Sequence, residues 1–319
     1  MLSAQGFSKT RTLPKGSVLV TCIGSTIGKA GMATKEMSTN QQINSIVVND
    51  NNDNEFVYYA IQSAFPRYLS SIAVQAVPII SKSAFEILPN NRPYLQEQKK
   101  IGKFLSLLDE RITTQNKIIE DLKKLKCAII EKLYAEVKGT KYFYRQLFNI
   151  INERNKQLEY SNVLSASQEK GIVSRDDLNL DIQFERSNIN TYKIVRNGDY
   201  VIHLRSFQGG FAFSEKTGVC SPAYTILRPN GLLVYGYLSN YFTSRDFVKS
   251  LIIVTYGIRD GRSINVDEWL NMKVIIPSKE QQTHIVNVIE SIENKIKNEE
   301  TYLNCLTNQK QYLLRQMFI

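Results

Sequence analysis

Two stretches of this chain repeat each other, and both read as one long helix. Pro93-Tyr-Leu-Gln-Glu-Gln98 is answered by Pro277-Ser-Lys-Glu-Gln-Gln282, an offset of 277 − 93 = 184 residues. The same offset pairs Ile101 with Ile285, Leu105 with Ile289, Leu108 with Ile292, Ile112 with Ile296, Leu122 with Leu306 and Leu133 with Met317. No proline interrupts residues 94–135 or 278–319, and Gly102 is the one glycine in them. Apolar residues at 101, 105, 108, 112, 119, 122, 129 and 133 keep a four-three rhythm, with Gln115 and Lys126 in two of its slots. The second copy does the same, with Glu299 and Lys310 in the matching slots. Such spacing, sustained over several heptads, is the mark of a coiled coil. A helix of about 40 residues is roughly 60 Å long and cannot bury its stripe alone. The natural cover for each copy is the other.

The segments ahead of the helices also match. Lys15-Gly-Ser-Val-Leu-Val20 parallels Asn197-Gly-Asp-Tyr-Val-Ile202, each a turn leading into a strand. Ile80-Ser-Lys-Ser-Ala-Phe85 parallels Ile264-Asn-Val-Asp-Glu-Trp269, with Ser81 and Asn265 placed to cap short helices. The chain therefore divides into a first globular body over residues 1–93, a helix over 94–139, a second body over 140–277 and a helix over 278–319. The fold class is α/β of the α+β kind. In the second body strands are expected at 193–195, 200–204, 211–213, 223–227 and 274–276, and one helix at 234–249, matched in the first body by a helix at 55–69. The second body opens near Tyr142; the offset projects that opening to 142 − 184 = −42, ahead of Met1. The first body is thus expected to lack its opening strands.

Composition narrows the partners. Lys and Arg number 40 against 30 Asp and Glu, a net charge of +10, and the sequence pI is about 9.3. That surplus suits a polyanion such as nucleic acid. The cysteines, at 22, 127, 220 and 305, form no CxxC pair, and His203 and His284 are the two histidines, so a zinc centre is not expected. No apolar h-region opens the chain and no apolar run approaches the roughly 18 residues of a membrane span. A cytoplasmic protein without membrane contact is expected.

A search for catalytic chemistry returns little. Gly24-Ser-Thr-Ile-Gly28-Lys29-Ala30 lacks the spacing and the hydroxyl of a phosphate-binding loop and suits a tight hairpin better. There is no GxGxxG fingerprint, no GxSxG elbow and no Asn/Asp-Pro-Pro-Tyr/Phe tetrapeptide. Carboxylates on the helices alternate with cations, as Asp109-Glu110-Arg111 does, which describes a solvated or salt-bridged face. The chain is expected to be no enzyme. Candidates for nucleic-acid contact are better: Arg205 and Gln208, side chains suited to guanine and adenine edges; Arg259 and Arg262 in a glycine-flanked loop; Ser165, Ser167, Gln168 and Lys170 in a polar turn. Lys29 and Gln75 are the candidates in the first body.

In this order and duplication, Leu13-Pro-Lys-Gly-Ser-Val-Leu19, Gly24-Ser-Thr-Ile-Gly-Lys29, Thr39-Asn-Gln-Gln42, Ile80-Ser-Lys82, Glu97-Gln98-Lys99-Lys100-Ile101, Asn197-Gly-Asp199 and Pro277 to Gln282 resemble the specificity subunits of type I restriction–modification systems. The resemblance implies target recognition domains that each read one half of a bipartite double-stranded DNA site. It implies an antiparallel helix pair that spaces the half-sites and docks methyltransferase subunits, with restriction subunits joining through them; Ile101, Leu105, Leu108, Ile112, Ile285, Ile289, Ile292 and Ile296 are its helix contacts. No cofactor is implied on this chain; S-adenosylmethionine, ATP and Mg²⁺ would sit on the partners. The shortened first body leaves two assemblies open, a homodimer or a complementing specificity fragment. The rival readings are a coiled-coil scaffold and a specificity-like subunit of another methylation-based defence system.

Overall fold

A computed structural model describes residues 4–7, 9–70, 79–89, 91–167, 171–175, 186–203, 210–256 and 263–318. The chain forms two compact units, one of Met1–Glu120 with Lys297–Ile319, the other of Asp121–Ile296. Each unit takes a part of both long helices.

Unit 1 begins with a single helical turn, α1 (Ala4–Phe7), followed by β1 (Val18–Thr21), β2 (Ala30–Met32) and β3 (Ile43–Ile46). Gly16, at φ 87°, sets the turn into β1: its N–H donates to the Ala33 carbonyl and the Ser17 N–H to the Pro14 carbonyl. The strands pair antiparallel in the order β2-β1-β3, with Val18 opposite Met32 on one side and Ile46 on the other. Alternation puts Val18 and Val20 into the core, where α2 (Asn54–Ser70) lays Ile61, Ala64, Phe65 and Tyr68 over them. The short α3 (Lys82–Glu86) is capped by Ser81, whose hydroxyl accepts from the Ala84 N–H, and α4 (Leu95–Ala135) follows.

Unit 2 repeats this plan with additions. Its strands are β4 (Thr140–Phe143), β5 (Phe148–Ile151), β6 (Leu164–Ser167), β7 (Gly171–Ser174), β8 (Lys193–Val195), β9 (Tyr200–Ile202), β10 (Phe211–Phe213), β11 (Gly218–Cys220) and β12 (Thr225–Pro229). Then come α5 (Tyr237–Tyr241), α6 (Arg245–Ser250), β13 (Thr255–Tyr256), β14 (Ser263–Ile264), α7 (Val266–Leu270), β15 (Lys273–Ile276) and α8 (Lys279–Met317). The main sheet runs β10-β9-β12-β5, and separate pairs join β11 to β8, β13 to β14, β15 to β4 and β6 to β7, all antiparallel. Gly198, at φ 93°, repeats the turn of Gly16 bond for bond: Gly198 N–H to the Ser214 carbonyl, Asp199 N–H to the Arg196 carbonyl. The core is aromatic. Trp269 is fully buried, stacked on Tyr144 at 4.2 Å between centroids, with Phe211, Phe242 and Phe148 around it. Burying side chains of this size is worth about 1.5–3 kcal/mol each.

The expected helix at 234–249 is two helices. Apolar spacing continues across the break, but Ser244 turns extended and its hydroxyl accepts from the Phe247 N–H, so α6 starts anew. The strand expected at 223–227 lies at Thr225–Pro229, and the one expected at 200–204 ends at Ile202, with Leu204 outside the described residues. Ser81 and Asn265 cap their helices as expected, Asn265 accepting from the Glu268 N–H.

The long helices have 41 and 39 residues. In unit 1, Leu105, Leu108, Ile119 and Leu306 are buried. Asp109 bonds Lys310 at 2.6 Å, and the buried Gln115 donates to the Glu299 carbonyl at 3.2 Å. Numbers rise along one helix as they fall along the other, so the helices are antiparallel. In unit 2, Ile130, Ile285, Ile289 and Ile296 are buried and Lys126 bonds Glu293 at 2.6 Å. Since 109 + 184 = 293 and 126 + 184 = 310, the two units hold the same acid–lysine pair, with the helices exchanging roles. Of the polar residues in the heptad slots, Gln115 and Glu299 bond each other, while Lys126 and Lys310 each bond an acid beside the seam of the other helix.

Candidate nucleic-acid interface

The polar loops singled out in unit 2 share one architectural position. Residues 168–170 join β6 to β7, residues 204–209 join β9 to β10, and residues 257–262 join β13 to β14, each an antiparallel pair. The stems are therefore fixed by backbone ladders, while the loop residues Gln168, Lys170, Arg205, Gln208, Arg259 and Arg262 lie outside the described residues, as does Gln75 of unit 1. Ser165 and Ser167 sit half-buried on β6, opposite Val173 and Gly171. Two of the stems lie side by side. Gly171, at φ 66°, passes so close to β10 that a Cβ would stand 2.8 Å from the Phe213 carbonyl oxygen. Only glycine lets β7 approach β10 there.

At the foot of the 204–209 loop, the His203 N–H donates to the Gly210 carbonyl at 2.7 Å. Burial holds the imidazole below its ordinary pKa, so it is neutral at pH 7 and supplies a hydrogen-bonding group rather than a cation. The β9–β10 hairpin is anchored from the other end by Asp199. That carboxylate, 2% exposed, accepts from the Arg196 N–H at 2.8 Å and takes both arms of Arg228 on β12 at 2.9 Å. The carboxylate raises the guanidinium pKa further. Asn155 performs a similar service for the loop after β5, donating to the Tyr160 carbonyl and accepting from the Tyr160 N–H. The Cys220 thiol, at the heart of β11, is pushed up to about 12 by burial and is inert.

In unit 1, Lys29 is exposed at the end of a tight hairpin between β1 and β2, with Gly24 at φ 96° and Gly28 at φ 88°. A Cβ on Gly28 would stand 2.5 Å from the Phe65 ring, so the stretch is a packed turn. Of the helix residues, Leu105, Leu108, Ile285, Ile289 and Ile296 are buried within this chain, and Ile101, Ile112 and Ile292 are half-buried. The outward apolar stripe of α4 is another set: Phe104, Leu107, Ile118 and Leu125, 40–50% exposed. Periodicity could have found this stripe, since 104, 118 and 125 share one heptad position, but the inner stripe masks it. Two residues of the repeat have a role that spacing alone does not reveal. Gln98 and Gln282, 184 apart, are each 1% exposed. Gln98 donates to the Pro93 carbonyl and accepts from the Asp53 N–H; Gln282 donates to the Pro277 carbonyl and accepts from the Val234 N–H. Each ties the start of a long helix to its own globular body. Among the described residues no group of three or more acidic, cysteine or histidine side chains could hold a metal, and no helix is long and apolar enough to cross a membrane.

Comparison with known proteins adds likenesses of sequence and of fold. Residues 1–124 match the family described as the type I restriction modification DNA specificity domain. Over 308 residues the chain is 26% identical to the type I restriction enzyme MjaVIII specificity subunit of Methanocaldococcus jannaschii, covering 85% of this chain and 69% of that one. It is 28% identical over 127 residues to the HindI specificity subunit of Haemophilus influenzae, covering 37% of this chain and 27% of that one. The fold resembles the crystal structure of the type I S subunit from M. genitalium, with a TM-score of 0.57 at 17% identity over 98% of this chain and 85% of that one. It also resembles the HsdS subunit from Thermoanaerobacter tengcongensis, with a TM-score of 0.51 at 15% identity over 96% and 81%.

Proposed function

We propose that this chain, a type I restriction–modification specificity subunit in its sequence family and in its fold, is a non-catalytic reader of bipartite double-stranded DNA. The observation that carries the reading is the duplicated plan: two bodies built on the same glycine turn and the same three antiparallel strands, each followed by a long helix. In unit 2, Arg205 and Gln208 at the tip of β9–β10 discriminate bases, Arg259, Arg262 and Lys170 neutralise phosphates, and Ser165, Ser167 and Gln168 add short polar contacts. Lys29 and Gln75 do the same for unit 1. The helices space the half-sites: B-DNA advances about 3.4 Å per base pair, so removing one heptad, about 10 Å of helix, from both should shorten the spacer by about 3 base pairs.

Methyltransferase subunits dock on the helices, and the exposed stripe of Phe104, Leu107, Ile118 and Leu125 is the face on offer. Restriction subunits join through them, and S-adenosylmethionine, ATP and Mg²⁺ act on those partners, in the cytoplasm. The test is a methylome. The chain is expressed with its methyltransferase partner in a methylation-free host and the modified bases are sequenced. An asymmetric bipartite motif is the expected result. A palindromic motif would mean that two copies read with one body each, and a stable complex with no methylation would overturn DNA reading by this chain.

A further inference from the structure

We propose that Gly102 seats the first globular body on α4 and thereby sets the spacing between the half-sites. This rests on the reading of bipartite DNA above and assigns one part of it to one residue. Gly102 is the single glycine of the two long helices, and it is buried. A glycine inside a helix costs stability unless the missing side chain makes room for something. Here it makes room for the start of α2. Asp53 caps that helix, its Oδ1 accepting from the Phe56 N–H at 2.9 Å. A Cβ on Gly102 would stand 2.6 Å from that same Oδ1, 2.8 Å from the Phe56 nitrogen and 3.0 Å from the Glu55 Cβ. The oxygen is held by its capping bond, and the other two atoms are backbone and the root of a side chain, so none can swing aside.

Neighbouring turns of α4 fix the rest of the contact. One turn earlier, Gln98 accepts from the Asp53 N–H at 3.0 Å; two turns later, Asp109 accepts from the Tyr59 hydroxyl at 2.7 Å. Positions 98, 102 and 109 lie along one stripe of the helix. α2 is thus held on both sides of Gly102 and cannot slide away from it. Being buried, Gly102 acts by position and not by touching DNA.

Unit 2 makes the matching contact in another way. The repeat puts Val286 at the place of Gly102, since 102 + 184 = 286, and that valine packs half-buried against the core of unit 2. On the body side, Asp53 and Val234 give their N–H groups to the two glutamines, and Phe56 and Tyr237 lie against Phe318 and Tyr134. Both pairs are 181 apart, so Glu55 corresponds to Gly236, and α5 starts there with no side-chain cap. The glycine has moved from the long helix to the body. In unit 1 the body meets bare helix backbone; in unit 2 the helix presents a valine.

Seating converts to spacing by leverage. For an alanine Cβ at 102 to reach an ordinary contact distance of 3.4 Å, the end of α2 must retreat by about 1 Å. Across a helix about 10 Å thick that is a tilt of about 6°, which grows to about 3 Å at the far side of a body about 30 Å across. One base pair of B-DNA rises about 3.4 Å. A single methyl at position 102 therefore changes the spacer by one base pair.

The experiment compares methylomes. The full chain and its Gly102→Ala variant are each expressed with the methyltransferase partner in a methylation-free host, and the modified bases are sequenced. The variant should keep both half-site sequences and change the spacer by one base pair, with methylation at the original spacing down at least about tenfold. Hydrogen exchange at residues 18–20 reports whether its first body is folded. Val286→Gly works in the reverse sense, taking the separating side chain out of unit 2. It too should change the spacer, with Trp269 emission unaltered, and it decides the matter where the Gly102→Ala body does not fold. An unaltered spacer in a folded Gly102→Ala chain, or in Val286→Gly where the first variant does not fold, would overturn the proposal. So would altered half-sites, which a residue acting on spacing alone does not produce. No motif from the unchanged chain would overturn the reading of DNA, and this proposal with it.

Discussion

The two globular bodies share a turn, a three-stranded sheet, a capped short helix and a buried glutamine, yet they are not held equally. In unit 2 the outer strand β12 is covered by β5, and the loop before β9 is locked by the buried Asp199–Arg228 pair. In unit 1 the outer strand β3 has no further strand beside it among the described residues, and the Ser17 hydroxyl, at the position of Asp199, donates to the Pro14 carbonyl. The common elements set the architecture; the differing ones set how much each unit can lose. Trp269 is the single tryptophan and is buried in unit 2, so its fluorescence reports that unit alone, while hydrogen exchange reports both.

The sharpest contrast is at the shared turn. Asp199→Ala leaves Arg228 without its partner and the Arg196 N–H without an acceptor, and should cost unit 2 about 3 kcal/mol. Ser17→Ala should cost unit 1 about 1 kcal/mol. Urea melts followed by Trp269 emission and by exchange at 18–20 would show both; equal costs would erase the difference between the units. The glutamines should behave alike instead. Gln98→Leu and Gln282→Leu each strand a backbone N–H, at about 1–3 kcal/mol. A marked inequality, seen in the same melts, would mean that the two helix starts are not equivalent anchors.

Smaller still are the ion pairs. Asp109–Lys310 has side chains 32% and 18% exposed, Lys126–Glu293 26% and 41%. Partial exposure limits each to about 0.5–1 kcal/mol of coupling in a double-mutant cycle. Asp109 has the additional Tyr59 hydroxyl at 2.7 Å, so its cycle should give the larger value. The least effect is a pH dependence confined to unit 2. His203 has its pKa lowered by burial, so the unfolded chain binds the proton more readily. Stability is unaffected above the ordinary histidine value of about 6.5 and falls as pH drops below it. His203→Gln should flatten that slope in the Trp269 melt between pH 7 and 5.

Much of the fold was legible because it repeats. The helix pair announced itself through spacing, and the capping residues Ser81 and Asn265 through their place before short apolar runs. The break between α5 and α6 was hidden, since the apolar spacing carries across it and only the Ser244 cap ends the run. The pairing of Asp199 with Arg228 was illegible for a different reason: 29 residues separate them and nothing local marks either as buried. Of the stems beside the candidate interface residues, β9 and β10 followed strand propensity, whereas β6 runs through Ser165 and Ser167, which sequence alone puts in a polar turn because serines carry no strand signal of their own.

The sharing of α8 between the units also bears on synthesis. Ser63 on α2 donates to the carbonyl of Leu314, 251 residues later. A ribosome releases everything needed for unit 2 once Ile296 has emerged, while unit 1, begun first, still waits for its last helical turns. The face of α2 that receives Phe318 stays uncovered throughout that interval. The unit begun before the other is thus finished after it, and while residues 297–319 are being made one body can be sealed with the other still ajar.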